Sequence, residues 1–179
     1  DDAFHGGKLT RQRAKRNREP LFVLDSQWGL HETGPPMKRT HHCNELRPAH
    51  AGQLVTLTGW VHSRRDLGGV IFIDIRDREG RTQTVYDPSD LPAEVFDRAA
   101  ALRSECVVAV TGLVRLRPAG TTNPKIATGE IEVVAQALEV LNTADVLPFP
   151  VDDPDAAGKV NEELRLKYRY LDLRRPEMT

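Results

Sequence analysis

The sequence predicts a small, mainly β domain, in which five strands close into a Greek-key barrel and one helix separates the third strand from the fourth. Five stretches have the alternation or the β-branched composition of strands. A single stretch, between the third and fourth of these, repeats its apolar residues at helical spacing.

Composition restricts the class of protein before any motif is considered. The 179 residues are 39% apolar and 28% charged, as in a globular domain, and the net charge is −1. A polyanion would therefore have to bind a local cluster of arginines and lysines. Cys43 and Cys106 are the only cysteines, without CxxC spacing, which favours a cytoplasmic protein without disulfides. No apolar run approaches the ~20 residues of a membrane span, so we expect no membrane association.

The first strand is predicted at residues 53–62. Its apolar and polar side chains alternate, and the core face would carry Val55, Leu57 and Val61. The arginine- and glycine-containing stretch that follows is predicted to be a loop, and it holds Arg64 and Arg65.

The second strand, residues 70–77, alternates more clearly. One face carries three isoleucines and must be the core, whereas the opposite face carries Phe72. A Glu79-Gly80 turn then leads into the third strand at residues 81–87. This strand carries Gln83 between two threonines, where apolar barrel residues would be expected.

A helix and two further strands complete the barrel. Asp90 is predicted to cap the helix, and Pro92 suits its first turn. The fourth and fifth strands are predicted at residues 106–116 and 130–141, with Glu132 on the outward face of the fifth. Three strands, a helix and two strands are the order of an OB-fold. A different small β-barrel and an α+β sandwich are the alternative architectures.

The remaining segments flank the predicted domain, which spans residues 37–141. Residues 1–36 hold a basic run without sustained periodicity, and we predict a disordered or non-native extension, with an RNA-binding arm as the alternative. Residues 142–160, rich in Pro, Asp and Gly, are predicted to be a linker. Residues 161–179 are predicted to form one helix, capped by Asn161, that leads into a missing further domain.

The candidate functional residues lie on the outward strand faces and beside them. Phe72 could stack on a nucleic-acid base, or it could pack under a loop. Gln83 could present a donor and an acceptor to one base edge, and Glu132 could accept hydrogen bonds from a guanine. Arg64 and Arg65 suit a phosphate or a base edge. Each of these polar residues would also fit an ordinary solvated position.

The sequence yields no catalytic constellation. It lacks the Walker A lysine loop, the GxSxG elbow and the GxGxxG fingerprint. His41, His42 and Cys43 are of metal-binding types, but adjacent residues on an extended chain point to opposite sides, and no second cluster completes a tetrahedral site. We therefore expect no catalytic residue, metal or cofactor in this chain.

Three stretches carry a resemblance to a known family. GWVHSRRDLGGVIFIDIRDREG at 59–80, ATGEIEV at 127–133 and LKYRYLDLRRPEM at 166–178 resemble bacterial aspartyl-tRNA synthetases. Members of this class II family are cytoplasmic homodimers that activate aspartate with ATP and Mg²⁺ and transfer it to tRNA. The resemblance implies that this chain is the N-terminal domain, which binds the G-U-C anticodon. It also implies that the active site, with its ATP and Mg²⁺, lies in the parent enzyme beyond Thr179.

The resemblance implies a role for four of the candidate residues. Phe72 matches an aromatic that stacks on an anticodon base, and Gln83 matches a glutamine that binds the central U. Glu132 matches an acidic residue that reads the first-position G, and Arg65 matches a basic anticodon contact. The implied partner is tRNA(Asp), which Leu67 favours as the sole substrate, although tRNA(Asn) stays open as a second one.

Two functions from other classes stay open beside this interpretation. A free-standing OB-fold module that binds single-stranded nucleic acid or sugar would explain the barrel, but not the segment at 166–178. A purely structural interaction domain is the third alternative.

Overall fold

The computed structural model describes residues 38–151, 159–175 and 178, all within one unit that begins at Met37. Its barrel is closed, in the strand order β1-β2-β3-β5-β4. Neighbouring strands are antiparallel except for β3 and β5, which are parallel. The strands are β1 (Leu54–Leu67), β2 (Val70–Arg76), β3 (Arg81–Tyr86), β4 (Val107–Leu116) and β5 (Ile131–Asn142), and helix α1 (Ala93–Ala101) joins β3 to β4. The mainly β, OB-fold prediction is therefore confirmed.

The inside of the barrel is the apolar core that the alternation predicted. Ile71, Ile73 and Ile75 of β2 are at most 1% exposed, and they meet the buried apolar side chains of β1. Each such side chain contributes about 1.5–3 kcal/mol relative to an exposed position. This burial fixes which face of β2 points outward, and Phe72 lies on that face.

β1 is longer than predicted and continues through the segment that was predicted to be a loop. Arg64 pairs with Ile73 and Arg65 with Phe72, so the turn to β2 is reduced to Gly68 and Gly69, both with positive φ. The loop prediction was wrong because residues 64–67 are exposed on both strand faces. A strand end without a buried face shows no alternation in its sequence.

The two threonines beside Gln83 occupy core positions of β3. Thr82 and Thr84 are fully buried, and both hydroxyls have acceptors. Thr82 donates to the carbonyl of Cys43, and Thr84 donates to the carbonyl of Ile73 at 2.9 Å. A threonine can replace an apolar residue here because its hydroxyl is satisfied by backbone.

Helix α1 begins later than the sequence suggested. Pro92 is its N-cap residue and no side-chain hydrogen bond caps the helix. Asp90 instead closes a turn, donating its backbone N–H to the carbonyl of Asp87 at 3.1 Å. The predicted Asp90 cap was wrong because Asp90 lies in the turn that precedes the helix, two residues before the N-cap residue Pro92.

The single C-terminal helix of the prediction is divided in two. Helix α2 (Glu162–Lys167) and helix α3 (Arg169–Asp172) are separated by Tyr168, whose φ of −109° and ψ of 45° are not helical. Asn161 does cap α2, accepting from the backbone N–H of Glu163 at 2.9 Å. The break lets Leu171 pack on two residues of the segment predicted to be a linker, Phe149 and Val151. No helix among the described residues is long and apolar enough to cross a membrane.

Candidate nucleic-acid interface

One row of polar side chains crosses the outside of the barrel and takes one residue from each strand. Strand register places them side by side: Ser63 pairs with Asp74, Asp74 with Gln83, and Arg115 with Glu132. The parallel pairing of Thr84 with Val133 brings the preceding residues, Gln83 and Glu132, next to each other. We call Ser63, Asp74, Gln83, Glu132 and Arg115 the polar row.

Hydrogen bonds connect the polar row from end to end with the help of Arg65. Arg115 Nε lies 2.7 Å from Glu132 Oε1, and Gln83 Nε2 donates to Glu132 Oε2 at 3.0 Å. Arg65 Nη2 donates to Gln83 Oε1 at 3.2 Å and to Asp74 Oδ1 at 3.4 Å. Ser63 Oγ donates to Asp74 Oδ2 at 3.1 Å.

Gln83 and Glu132 lie on the outer side of the barrel, but neither is a solvated surface residue. They are only 6% and 2% exposed, and the side chains of Arg65 and Arg115 are hydrogen-bonded to them. Buried polar groups require partners, and the network supplies them. The outward face of β5 is thus partly buried, which alternation alone cannot reveal.

The amide of Gln83 has one orientation that its neighbours allow. Glu132 can only accept a hydrogen bond and Arg65 can only donate one. Rotating the amide by half a turn would set its oxygen against the carboxylate and its nitrogen against the guanidinium. The amide oxygen therefore faces Arg65 and the amide nitrogen faces Glu132.

A shallow depression of about 210 Å³ lies beside the polar row. It is lined by Arg65, Leu67, Phe72, Gln83, Arg117 and Thr121. Phe72 is half-buried, so part of its ring stays accessible. An aromatic face, an amide and two guanidiniums around one depression can bind a planar, hydrogen-bonding, anionic ligand.

Arg117 belongs to this site although the sequence analysis missed it. It donates to the carbonyls of Ile131 at 2.9 Å and Thr121 at 3.5 Å. Its Nη2 is buried and has no partner among the residues that the structure describes. Burial lowers the pKa of Arg117, nearby Arg65 acts in the same direction, and the charge of Glu132 opposes both. A buried donor without an acceptor is costly, so a ligand oxygen would be stabilised there.

A signal for Arg117 and Arg115 was present in the sequence. They are two residues apart at the end of the fourth strand, and period two puts them on one face. By the same rule Arg64 alternates with Ser63 and Arg65, so the exposed Arg64 side chain points away from the depression. The structure thus brings Arg65, Phe72, Gln83 and Glu132 together and leaves Arg64 at the outer edge.

The histidines near the start of the described chain have a local role. Asp77 Oδ2 lies 3.1 Å from His42 Nδ1 and accepts the backbone N–H of Cys43 at 3.0 Å, which fastens this segment to the turn between β2 and β3. Within residues 38–151, 159–175 and 178, no group of three or more His, Cys, Asp or Glu side chains could hold a metal ion.

Comparison with known proteins matches the barrel to a nucleic-acid-binding family. Residues 55–141 match the tRNA anti-codon family, an OB-fold nucleic acid binding domain. The chain is 56% identical over 158 residues to the aspartate–tRNA(Asp/Asn) ligase of Moorella thermoacetica, which covers 88% of this chain and 24% of the relative. It is 60% identical over 139 residues to the corresponding ligase of Corynebacterium jeikeium, covering 78% and 22%. The chain therefore spans about a quarter of the length of these curated relatives.

Solved structures of related proteins have the same fold. An asparaginyl-tRNA synthetase from Pyrococcus horikoshii complexed with asparaginyl-adenylate is 30% identical, with a TM-score of 0.66, over 79% of this chain and 30% of that one. OBody AM2EP06, bound to hen egg-white lysozyme, is 27% identical, with a TM-score of 0.53, over 63% of this chain and 99% of that one. The barrel, the family match and the relatives agree, and the chain carries the anticodon-binding OB-fold domain of the aspartyl- and asparaginyl-tRNA synthetase family.

Proposed function

We propose that this domain binds the anticodon of tRNA(Asp) at the depression and the adjoining part of the polar row. The observation that carries the proposal is the convergence of Phe72, Gln83 and Arg65 on one depression, with Glu132 hydrogen-bonded to Gln83 beside it. These groups are of the kinds that recognise unstacked RNA bases, namely an aromatic face for stacking and polar groups for base edges.

Each side chain receives a role from its chemistry and its place. Phe72 stacks on one base, a contact worth about 1–3 kcal/mol. Gln83 reads the central U with the amide group that Arg65 and Glu132 orient. Glu132 accepts hydrogen bonds from the first-position G, since a carboxylate offers several lone pairs beyond the two already engaged.

The arginines supply attraction to the RNA backbone. Arg65 and Arg117 lie at the depression, where a phosphate or a base oxygen would meet both guanidiniums. Arg64, exposed at the end of β1, can contact a phosphate further along the loop. With a net charge of −1, the chain depends on this local cluster for RNA affinity.

We further propose tRNA(Asn) as a second partner. The relatives at 56% and 60% identity carry names that include both Asp and Asn tRNAs. These names favour dual specificity over the Asp-only enzyme that Leu67 suggested. Leu67 lines the depression, so its influence on the choice between the two tRNAs can be tested directly.

The properties of the whole protein are proposed from its relatives. We propose that it attaches aspartate to tRNA with ATP and Mg²⁺, as a cytoplasmic homodimer. The names of the two ligases, of which the chain covers 24% and 22%, support the attachment of aspartate to tRNA, and the remaining properties follow from the family resemblance. It concerns the parent enzyme rather than the 179 residues of this chain.

The experiment that tests the domain's function is a fluorescence-anisotropy titration of the chain with labelled anticodon stem-loops. The G-U-C loop is compared with loops of the same length in which one anticodon base is changed, and with an unstructured oligonucleotide. We expect the G-U-C loop to bind most tightly and each base change to weaken binding. Equal affinity for all loops and for the unstructured strand would contradict anticodon reading and favour the general single-strand-binding module.

A further inference from the structure

The contact between Gln83 and Glu132 joins two residues that are proposed to read different bases. The two side chains share a hydrogen bond of 3.0 Å, and both are almost completely buried. A carboxylate that moves to meet a guanine must therefore lengthen or bend the bond that orients Gln83. The two reading groups cannot respond independently of each other.

Arg115 holds the other oxygen of that carboxylate. Its Nε lies 2.7 Å from Glu132 Oε1, and strand register places the two residues directly opposite each other on β4 and β5. A buried carboxylate needs a cationic or hydrogen-bonding partner to stay charged and in place. Arg117 also acts on Glu132 through its charge, but its Nε is committed to the carbonyl of Ile131.

The chain of contacts therefore runs from Arg115 through Glu132 to Gln83 and Arg65. We propose that Arg115 is a positioning residue that fixes this chain, and that the first and central anticodon bases are consequently read as one coupled pair. The proposal rests on the proposed function, because it concerns how the same two side chains discriminate bases. Arg115 acts through Glu132 and need not touch the RNA.

A double cycle of base changes measures the coupling. Dissociation constants are determined for stem-loops with the anticodons G-U-C, A-U-C, G-C-C and A-C-C. If the two bases are read as a pair, changing one base disturbs the hydrogen bond between Gln83 and Glu132. Changing the other base then reduces the affinity by a smaller factor. We call the fold increase in dissociation constant over that of G-U-C the penalty of a base change. We expect the penalty of A-C-C to be about threefold or more below the product of the A-U-C and G-C-C penalties, a coupling within the range measured for contacting groups. Multiplicative penalties in the wild-type chain would overturn the coupled reading.

Variants of Arg115 separate positioning from simple phosphate binding. In Arg115→Gln both single-base penalties should shrink, and their product should equal the penalty of the double change, so that the coupling is lost. Arg115→Lys keeps a cation opposite Glu132 and should retain the coupling. The matched control is Arg78→Gln, the same charge change at an arginine that is paired with Glu79 in the turn between β2 and β3. A phosphate contact at Arg115 would instead weaken all four loops equally with unchanged penalties, and that result would overturn the proposal.

Glu132→Gln provides a second variant in case Arg115→Gln fails to fold. It keeps the shape of the side chain but removes the charge that Arg115 holds. The expected result is a smaller penalty at the central base, although that base is assigned to Gln83. A change confined to the first-base penalty would overturn the coupling.

A measurement on the free protein makes the proposal independent of RNA binding. The side-chain amide protons of Gln83 are followed by NMR in the wild type, Arg115→Gln and Arg78→Gln. We expect Arg115→Gln to shift these resonances and to speed their exchange with water at least about tenfold, and Arg78→Gln to leave them unchanged. Unchanged Gln83 resonances in Arg115→Gln would overturn the positioning role. Base-independent binding by the wild type would instead contradict the proposed function.

Discussion

Arg174 of the C-terminal segment donates to Glu105 Oε2 at 2.6 Å and thereby ties that segment to the barrel. The other carboxylate oxygen of Glu105 accepts from Arg76 of β2. The Arg174 guanidinium also lies 5.2 Å from the ring centroid of Trp60 on β1. The buried Glu105 carboxylate thus joins β2 to the chain beyond α3, and Arg174 adds a contact with β1.

Replacing Glu105 should loosen this junction. Glu105→Gln removes the negative charge between two guanidiniums, so we expect the free energy of unfolding to fall by about 1–3 kcal/mol. Urea denaturation measures the change, with Glu130→Gln as the control at an exposed position. Glu105 also has a positive φ of 70°, which costs a residue other than glycine about 1–2 kcal/mol. Glu105→Gly relieves that cost, so a smaller loss of stability in Glu105→Gly than in Glu105→Gln would agree with strain at the positive φ. Equal stability of Glu105→Gln and Glu130→Gln would contradict a stabilising role of the Glu105 charge at the junction.

Gly112 of β4 should tolerate no side chain. A Cβ there would collide with the backbone carbonyl of Val134 and would lie 2.9 Å from Cγ1 of Val133, at a register shift between β4 and β5. We expect Gly112→Ala to destabilise the domain by about 2–4 kcal/mol, because strand backbone must move. Gly120→Ala is the control, since that Cβ meets nothing within 4 Å and only the positive φ of 83° opposes it, at about 1–2 kcal/mol. Similar melting temperatures for the two variants would contradict the close packing at Gly112.

Asp77 should make the stability of the domain depend on pH at the acidic end. Burial acts to raise its pKa, but the backbone N–H groups of Cys43, Glu79 and Gly80 and the His42 ring outweigh burial and lower it. A folded-state pKa below the unfolded value of about 3.9 means that the stabilisation is complete above that value. It is lost as the pH falls through the folded-state pKa.

The test is Asp77→Asn, which we expect to cost about 1–2 kcal/mol at pH 7. The difference from the wild type should shrink as the pH falls below about 4, because the wild-type carboxyl then becomes protonated. Asp97→Asn, at an exposed position on α1, serves as the control and should show neither effect. A difference between Asp77→Asn and the wild type that is constant from pH 7 to pH 3 would show that the carboxylate charge is not involved.

The sequence predicts the barrel well because its core obeys a simple period. The three isoleucines of β2 reveal both the strand and its buried face, and the order of elements then indicates the OB-fold. The same rule fails at Arg64 and Arg65, because a strand end that is exposed on both faces has no apolar pattern. It also fails at Tyr168, where helix propensity continues but the backbone leaves helical geometry and Leu171 packs on Phe149 and Val151.

The candidate site is predictable only in part. Alternation places Phe72, Gln83 and Glu132 on outward strand faces, and the family resemblance adds the base that each is expected to contact. The hydrogen bond between Gln83 and Glu132 arises from a parallel pairing of strands that are 45 residues or more apart in the chain, and periodicity carries no information about such pairs. The contribution of Arg117 depends in the same way on the loop that brings Thr121 to the depression.

Removing residues 1–36 should leave the domain folded. They show no sustained periodicity, and every described element belongs to the unit that begins at Met37. We expect the thermal melting temperature of a chain that starts at Met37 to stay within about 5 °C of the full chain, a change of about 1–2.5 kcal/mol for this size. A larger decrease would mean that the extension packs against the domain.

The contributions of Phe72 and Arg65 to RNA binding should differ in their dependence on salt. Phe72→Ala should weaken binding of the G-U-C stem-loop by about 1–3 kcal/mol and leave the slope of log K against log[salt] unchanged, because stacking releases no counterion. Phe72→Leu should recover little of the loss, since it restores bulk without an aromatic face.

Arg65→Ala should weaken binding and lower that slope by about one phosphate equivalent, if its guanidinium neutralises a phosphate. It should also relax discrimination at the central base, because Arg65 holds the amide oxygen of Gln83 at 3.2 Å. Titrations at four salt concentrations, on G-U-C and G-C-C loops, separate the two effects. A lowered slope with an unchanged ratio of the two affinities would mean that Arg65 contacts the RNA phosphates and does not affect base discrimination. An unchanged slope with a reduced ratio would identify Arg65 as a residue that orients Gln83. If neither the slope nor the ratio changes, Arg65 does not contribute to the RNA interface.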